Sequence, residues 1–167
     1  MRNAGDLGCT RVAVTGHRVL ADEEATAACV YAALDRLSNE CGSLEVITLM
    51  ADGADILAAE QALAIGARVL AILPQDAKEC REQIRTQWLD RFDTALSRCA
   101  EVIEPLERLP KPECYRAAGV RMLERADVLL AIWNGKRAHG IGGTGNIVEL
   151  AIGMGIPVVR VVDRGDV

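Results

Sequence analysis

Several features that would have settled a function are missing. There is no run of lysine and arginine, and 19 basic residues face 24 acidic ones for a formal charge of -5, so the drive toward a polyanion such as DNA is small. Free nucleic acid is accordingly expected not to be a partner. No apolar stretch reaches the roughly 18 residues of a spanning helix, and the opening residues hold no apolar signal block. A soluble, cytoplasmic chain without membrane association is expected. Two histidines, His17 and His139, rule out a histidine-rich metal site. Six cysteines stand at least twelve residues apart with no C-x-x-C, a spacing that favours buried reduced thiols over a zinc site or a disulfide frame. No metal site is read from the sequence and no cofactor is required, although an oxygen-ligated magnesium stays open. Aromatic residues number only five.

What is present is an alternation. Short β-branched runs at 11–15, 44–49, 68–73, 101–104, 127–133 and 157–162 are separated by longer amphipathic stretches. Several runs are apolar at successive positions, as strands covered on both faces must be. The pattern predicts one α/β domain over 1–167, a three-layer Rossmann-like sandwich. Its mainly parallel sheet has about six strands with helices on both faces, and residues 1–10 form a flexible tail. Asp22 is placed to cap a first helix closed by Gly42, with a stripe at Ala25, Cys29, Ala32, Ala33 and Leu37. A second helix runs from Ala54 to Ile65 and stops at Gly66. Asp76 and Glu79 form an acidic capping box for a third, Pro112 precedes a fourth over 113–125, and a fifth runs from Thr144 to Gly155.

In such a sheet, ligands bind beyond the carboxyl ends of the strands, so the loops there carry the information. After strand one come Gly16, His17 and Arg18: close backbone approach, a titratable donor and a bidentate fork for phosphate. After strand two, Gly53 gives backbone access, while Asp52 and Asp55 suit helix capping, ribose hydroxyls or a hydrated cation. After strand five, Gly140, Gly142, Gly143 and Gly145 fall within six residues and lead into a helix. Unhindered amides of Gly142, Gly143, Thr144, Gly145 and Asn146 would converge there on an anion at the helix's positive end. The spacing matches neither G-x-G-x-x-G nor the Walker sequence. Lys136, Arg137 and His139 add positive charge nearby, Trp133 is placed to stack on a base, and Glu149 is placed one turn inside the helix, facing the crevice.

Three segments carry a resemblance: V-A-V-T-G-H-R; I-T-L-M-A-D-G-A-D-I-L-A-A-E-Q-A-L; and A-D-V-L-L-A-I-W-N-G through G-G-T-G-N-I-V-E-L. Over most of residues 11–162 the chain resembles the SLOG superfamily, the Rossmann-like group that includes DNA-processing protein A and the lonely-guy phosphoribohydrolases. Gly142, Gly143, Gly145 and Glu149 match the lonely-guy signature G-G-x-G-T-x-x-E, with Asn146 in place of threonine. The resemblance implies a nucleotide or nucleotide-derived ligand and aligns Glu149 with the glutamate of N-glycosidic cleavage. Ala118 occupies the register of the family's catalytic arginine, with Arg116 and Arg121 flanking it, and Ile141 replaces the usual proline. These departures bear on turnover, not on binding.

Three functions follow as expectations. The first is a domain that senses or processes a nucleotide-type small molecule. The second is an N-glycosidase of lonely-guy or nucleoside deoxyribosyltransferase-like type, a hydrolase releasing base from nucleoside 5'-monophosphates through Glu149. The third is a non-catalytic homodimer or higher homo-oligomer whose alanine-rich helices pack against a twin.

Overall fold

The computed structural model describes residues 8–135 and 143–163. Six strands form one sheet: β1 (Cys9–Gly16), β2 (Ser43–Thr48), β3 (Arg68–Ile72), β4 (Glu101–Ile103), β5 (Val128–Ile132) and β6 (Val158–Val161). They lie in the order β4-β3-β2-β1-β5-β6, and every pairing is parallel. The chain winds outward from β1 to β4, then returns to lay β5 on the free side of β1. The connections therefore part to opposite sides between β1 and β5, which is where such sheets open a crevice.

Consecutive apolar residues in the strands serve two cores. Val12, Val14, Val69, Ala71, Leu130 and Ile132 join the core under α1 (Glu23–Cys41), α2 (Ala54–Ala64) and α4 (Leu89–Arg98). Their neighbours Ala13, Leu70, Ile72, Leu129 and Ala131 join the other, under α5 (Glu113–Arg125) and α6 (Thr144–Gly153). Each fully buried aliphatic side chain contributes roughly 1.5–3 kcal/mol, so a polar residue without a hydrogen-bond partner is costly on either face. That is why these strands read as unbroken apolar runs.

The capping signals act locally and hold. Asp22 accepts from the Ala25 amide at 3.0 Å, and Gly66, at φ +77°, closes α2 in a conformation that costs most residues energy. The buried ridge of α1 is Thr26, Val30 and Leu34, one position beyond the expected stripe; Ala32 faces solvent.

Three expectations need correction. Strand β1 begins at Cys9, so residues 9 and 10 are not tail: Cys9 pairs with Ser43, and the Ser43 amide donates to the Gly8 carbonyl at 3.1 Å. The expected third helix is two, α3 (Ala77–Glu82) and α4, separated by an extended Arg85 and a 3-10 turn at Thr86–Trp88. The capping box before α3 is half made. Asp76 accepts from the Glu79 amide at 2.8 Å, but the Glu79 carboxylate pairs with Arg108 instead of reaching back.

Candidate functional site

The loops after β1, β2 and β5 meet because two glycines let backbone touch backbone. A Cβ on Gly16 would lie 2.4 Å from the Ala54 Cβ and 2.8 Å from the Ile132 carbonyl, and one on Gly53 would lie 2.3 Å from the Arg18 carbonyl. Gly53 also has φ +84° and ψ -127° at the start of α2, a combination open only to glycine. Their first duty is thus to dock the loops on each other. Gly53→Ala should cost about 3 kcal/mol from strain and overlap together. A urea midpoint within error of the parent's would refute that assignment.

This docking sends Asp52 inward. Its side chain is wholly buried, with Oδ1 accepting from Arg18 Nε at 2.6 Å and Oδ2 from Arg85 Nε at 2.8 Å and the Arg85 amide at 2.9 Å. Burial by itself would raise the Asp52 pKa, but the bonds from Arg18 and Arg85 outweigh it and hold the carboxyl below its ordinary value. Arg18 donates also to the Gln83 carbonyl at 2.9 Å, and its hydrogen bond to Asp52 leads the influences that raise its own pKa. Asp52 therefore ties the segment around residue 85 to the end of β1; neither oxygen is left for ribose or a cation. Arg85 and Gln83 lie outside every motif. No local signal marks them, since Gln83, Ile84 and Arg85 are all compatible with helix.

Asp55 has the opposite surroundings. It is 7% exposed in the first turn of α2. Its Oδ2 accepts from the Ala51 amide at 3.2 Å, and Oδ1 takes no bond from any described residue. Burial, the dominant influence, pushes its pKa up to about 7, against a weaker lowering by the Ala51 amide and Arg18.

Asp55 borders a hollow of about 270 Å³ between the end of β1, α5 and the start of α6, whose walls include Gly16, His17, Arg18, Tyr115, Gly143 and Thr144. His17 Nε2 accepts from the Asn134 amide at 3.2 Å, which places the imidazole proton on Nδ1. Within α6 the first internal bond runs from the Ile147 amide to the Gly143 carbonyl at 3.0 Å, and no side chain caps the helix. The amides of Thr144 and Gly145 take no partner among the described residues, and the positive end of α6 meets the hollow. From α5 the hollow receives Tyr115 and Met122. The Tyr115 hydroxyl lies 3.5 Å from Gln83 Oε1, and burial raises its pKa.

Other expected site residues lie elsewhere. Glu149 is exposed: α6 turns Gly143, Thr144 and Ile147 to the hollow, and two residues past Ile147 is roughly 200° round the helix. Trp133 is half-buried against the second core, its ring under the Arg160 guanidinium at 5.6 Å, so the aromatic at the hollow is Tyr115. Arg116 is exposed, and Arg121 lines a separate small recess with Cys114 and Ala118. Asn146 is half-buried in the first turn of α6. Gly142, together with Lys136, Arg137, His139 and Gly140, lies outside the described residues. Among those described, no group of three His, Cys, Asp or Glu side chains is placed to hold a metal ion, and no helix is long and apolar enough to cross a membrane.

No family description and no curated protein matches this sequence. Solved structures do. The chain is similar to DNA processing protein A from Streptococcus pneumoniae, at 19% identity and a TM-score of 0.63 over 90% of this chain and 50% of that one. It is similar to DNA processing protein A from Helicobacter pylori, at 15% identity and a TM-score of 0.64, covering 90% of this chain and 64% of that one. A third is the Moco carrier protein of Chlamydomonas rheinhardtii, at 16% identity and a TM-score of 0.52 over 91% and 75% of the two chains. The chain thus spans half to two thirds of the length of the two DNA processing proteins. These likenesses show that the chain shares the Rossmann-like fold of these proteins. The Helicobacter protein is described as having a single-stranded DNA binding mode, which overturns the expected exclusion of free nucleic acid. Whole-chain charge is a sum, whereas a strand meets the local field of one surface.

Proposed function

Given that fold, we propose that the chain binds a small anionic ligand of nucleotide type in the hollow at the end of β1. The observation that carries this is the meeting of two features there: the uncapped amides of Thr144 and Gly145, and a cavity of about 270 Å³ bordered by Gly16, His17 and Arg18. Amides at a helix start favour negative charge without any side chain. Arg18 and Tyr115 line the same cavity. Cleavage of an N-glycosidic bond through Glu149 gains no support from this arrangement, since Glu149 and both α5 arginines stand away from the hollow.

Thermal melting against a panel of nucleoside mono- and diphosphates tests the reading. At a hundredfold excess over Kd a true ligand adds about 2.7 kcal/mol, which for a chain of this size raises Tm by roughly 5–10 °C. Gly143→Asp supplies the control. Gly143 stands at the capping position with φ -76° and ψ 169°, a geometry any residue adopts, and an aspartate there caps the helix with its own negative charge. The variant should melt about 2 °C higher without ligand and lose the ligand-induced rise. A panel that moves neither protein, or a variant that still responds, refutes the reading.

A further inference from the structure

Among the described residues bordering the hollow, Asp55 is the one carboxyl group. It is more than nine-tenths buried, one oxygen is held by the Ala51 amide, and the other has no partner among the described residues. The charges that face it are few. The loop after β1 brings His17 and Arg18, and the turn before α2 brings Asp52. The bend before α4 brings Arg85 behind Asp52, and α5 brings Tyr115; the described residues of α6 bring none. Both arginines are already bound to the wholly buried Asp52, so among the described residues neither guanidinium forms an ion pair with Asp55. Its helix position suggests another job, but capping is not that job: the bond from Ala51 spends only one oxygen.

An anion arriving at the start of α6 therefore meets either a neutral carboxyl, which donates a hydrogen bond, or a carboxylate, which repels it. Resting on the reading of the hollow given above, we propose that Asp55 makes binding proton-linked. The ligand is held while Asp55 carries its proton and donates through its free oxygen, and the favoured ligand is an anion that also offers an acceptor atom on that side.

The test needs a probe that does not itself titrate near neutrality, as phosphate esters do. Sulfate meets that need and carries the pH series; adenosine 5'-monophosphate, which does titrate there, serves only to show whether a larger anion binds at all. Affinities are measured by calorimetry from pH 5.5 to 8.5 for the parent chain and for Asp55→Asn, whose amide keeps a donor and cannot ionise. In the parent, sulfate affinity should fall by up to tenfold per pH unit once pH passes about 7, with proton uptake visible as a dependence of heat on buffer. In Asp55→Asn that fall should vanish. Any pH response shared by both proteins belongs to other groups. Equal profiles in the two proteins, or a parent that binds more tightly as pH rises, overturn the inference while leaving the hollow a binding site. Failure of both probes to bind at any pH overturns the reading of the hollow and this inference with it.

Discussion

Asp55→Asn should make the chain more stable at pH 8, by up to about 4 kcal/mol, and should change it little at pH 4. In the unfolded chain this carboxyl ionises near 3.8, whereas burial in the first turn of α2 pushes it to about 7. The fold therefore prefers the protonated form. The stability this group contributes is complete below pH 3.8, is lost as pH climbs toward 7, and does not change further above that. The neutral amide escapes the loss. It also keeps an oxygen for the Ala51 amide, now 3.2 Å from Asp55 Oδ2. Urea unfolding of both proteins at pH 4, 6 and 8 measures the effect; a gap between them that ignores pH would mean that the carboxyl is ionised in the fold. Such a gain from deleting a charge is what a functional site leaves behind, since stability and binding make opposite demands on the group.

Asp52→Ala should do the reverse and cost about 3 kcal/mol at neutral pH, because it leaves Arg18, Arg85 and the Arg85 amide without the carboxylate they share. Both guanidiniums are partly exposed, at 47% and 35%, and water recovers some of the loss. That keeps the figure at the low end for a buried pair. Linkage here runs opposite to that of Asp55. A carboxyl held below its ordinary pKa stabilises the fold above that value and ceases to as pH falls, so the parent should lose its advantage over the variant in acid. The local signature is faster tryptic cleavage after Arg85, whose extended backbone is anchored through Asp52. If unfolding weakens but cleavage at Arg85 does not change, the carboxylate contributes to stability without anchoring that bend.

These two aspartates, three residues apart in A-D-G-A-D, look alike in the sequence. Either suited capping, ribose or a cation. What separates them is Arg85, 33 residues beyond Asp52 and joined to it only when the bend before α4 folds back over β1. The same bend ends α3, and nothing in Gln83, Ile84 or Arg85 disfavours helix; the Asp52 bond wins against local propensity. Glycines were legible as positions needing room, but the sequence did not say for what. Gly16 and Gly53 give that room to Ala54, Ile132 and Arg18, and what remains beside them is the hollow. Trp133, at a strand end, has a relation to the crevice that the sequence states, and Tyr115 does not. A residue on α5 acquires one only through the tilt of that helix.

The order of elements, their approximate limits, the two-faced burial of the strands and the caps at Asp22 and Asp76 were all contained in the amino-acid sequence. Each is a relation between residues a few positions apart, written in the periods 2 and 3.6 and in side chains that reach their own backbone. Which carboxylate is clamped and which opens on the hollow, which aromatic lines it and which way Glu149 points are relations between distant segments. They became definite only when the strands took the order β4-β3-β2-β1-β5-β6 and the helices settled on the sheet. Packing fixes such relations by the rotation and offset of whole elements, and no short-range pattern encodes those.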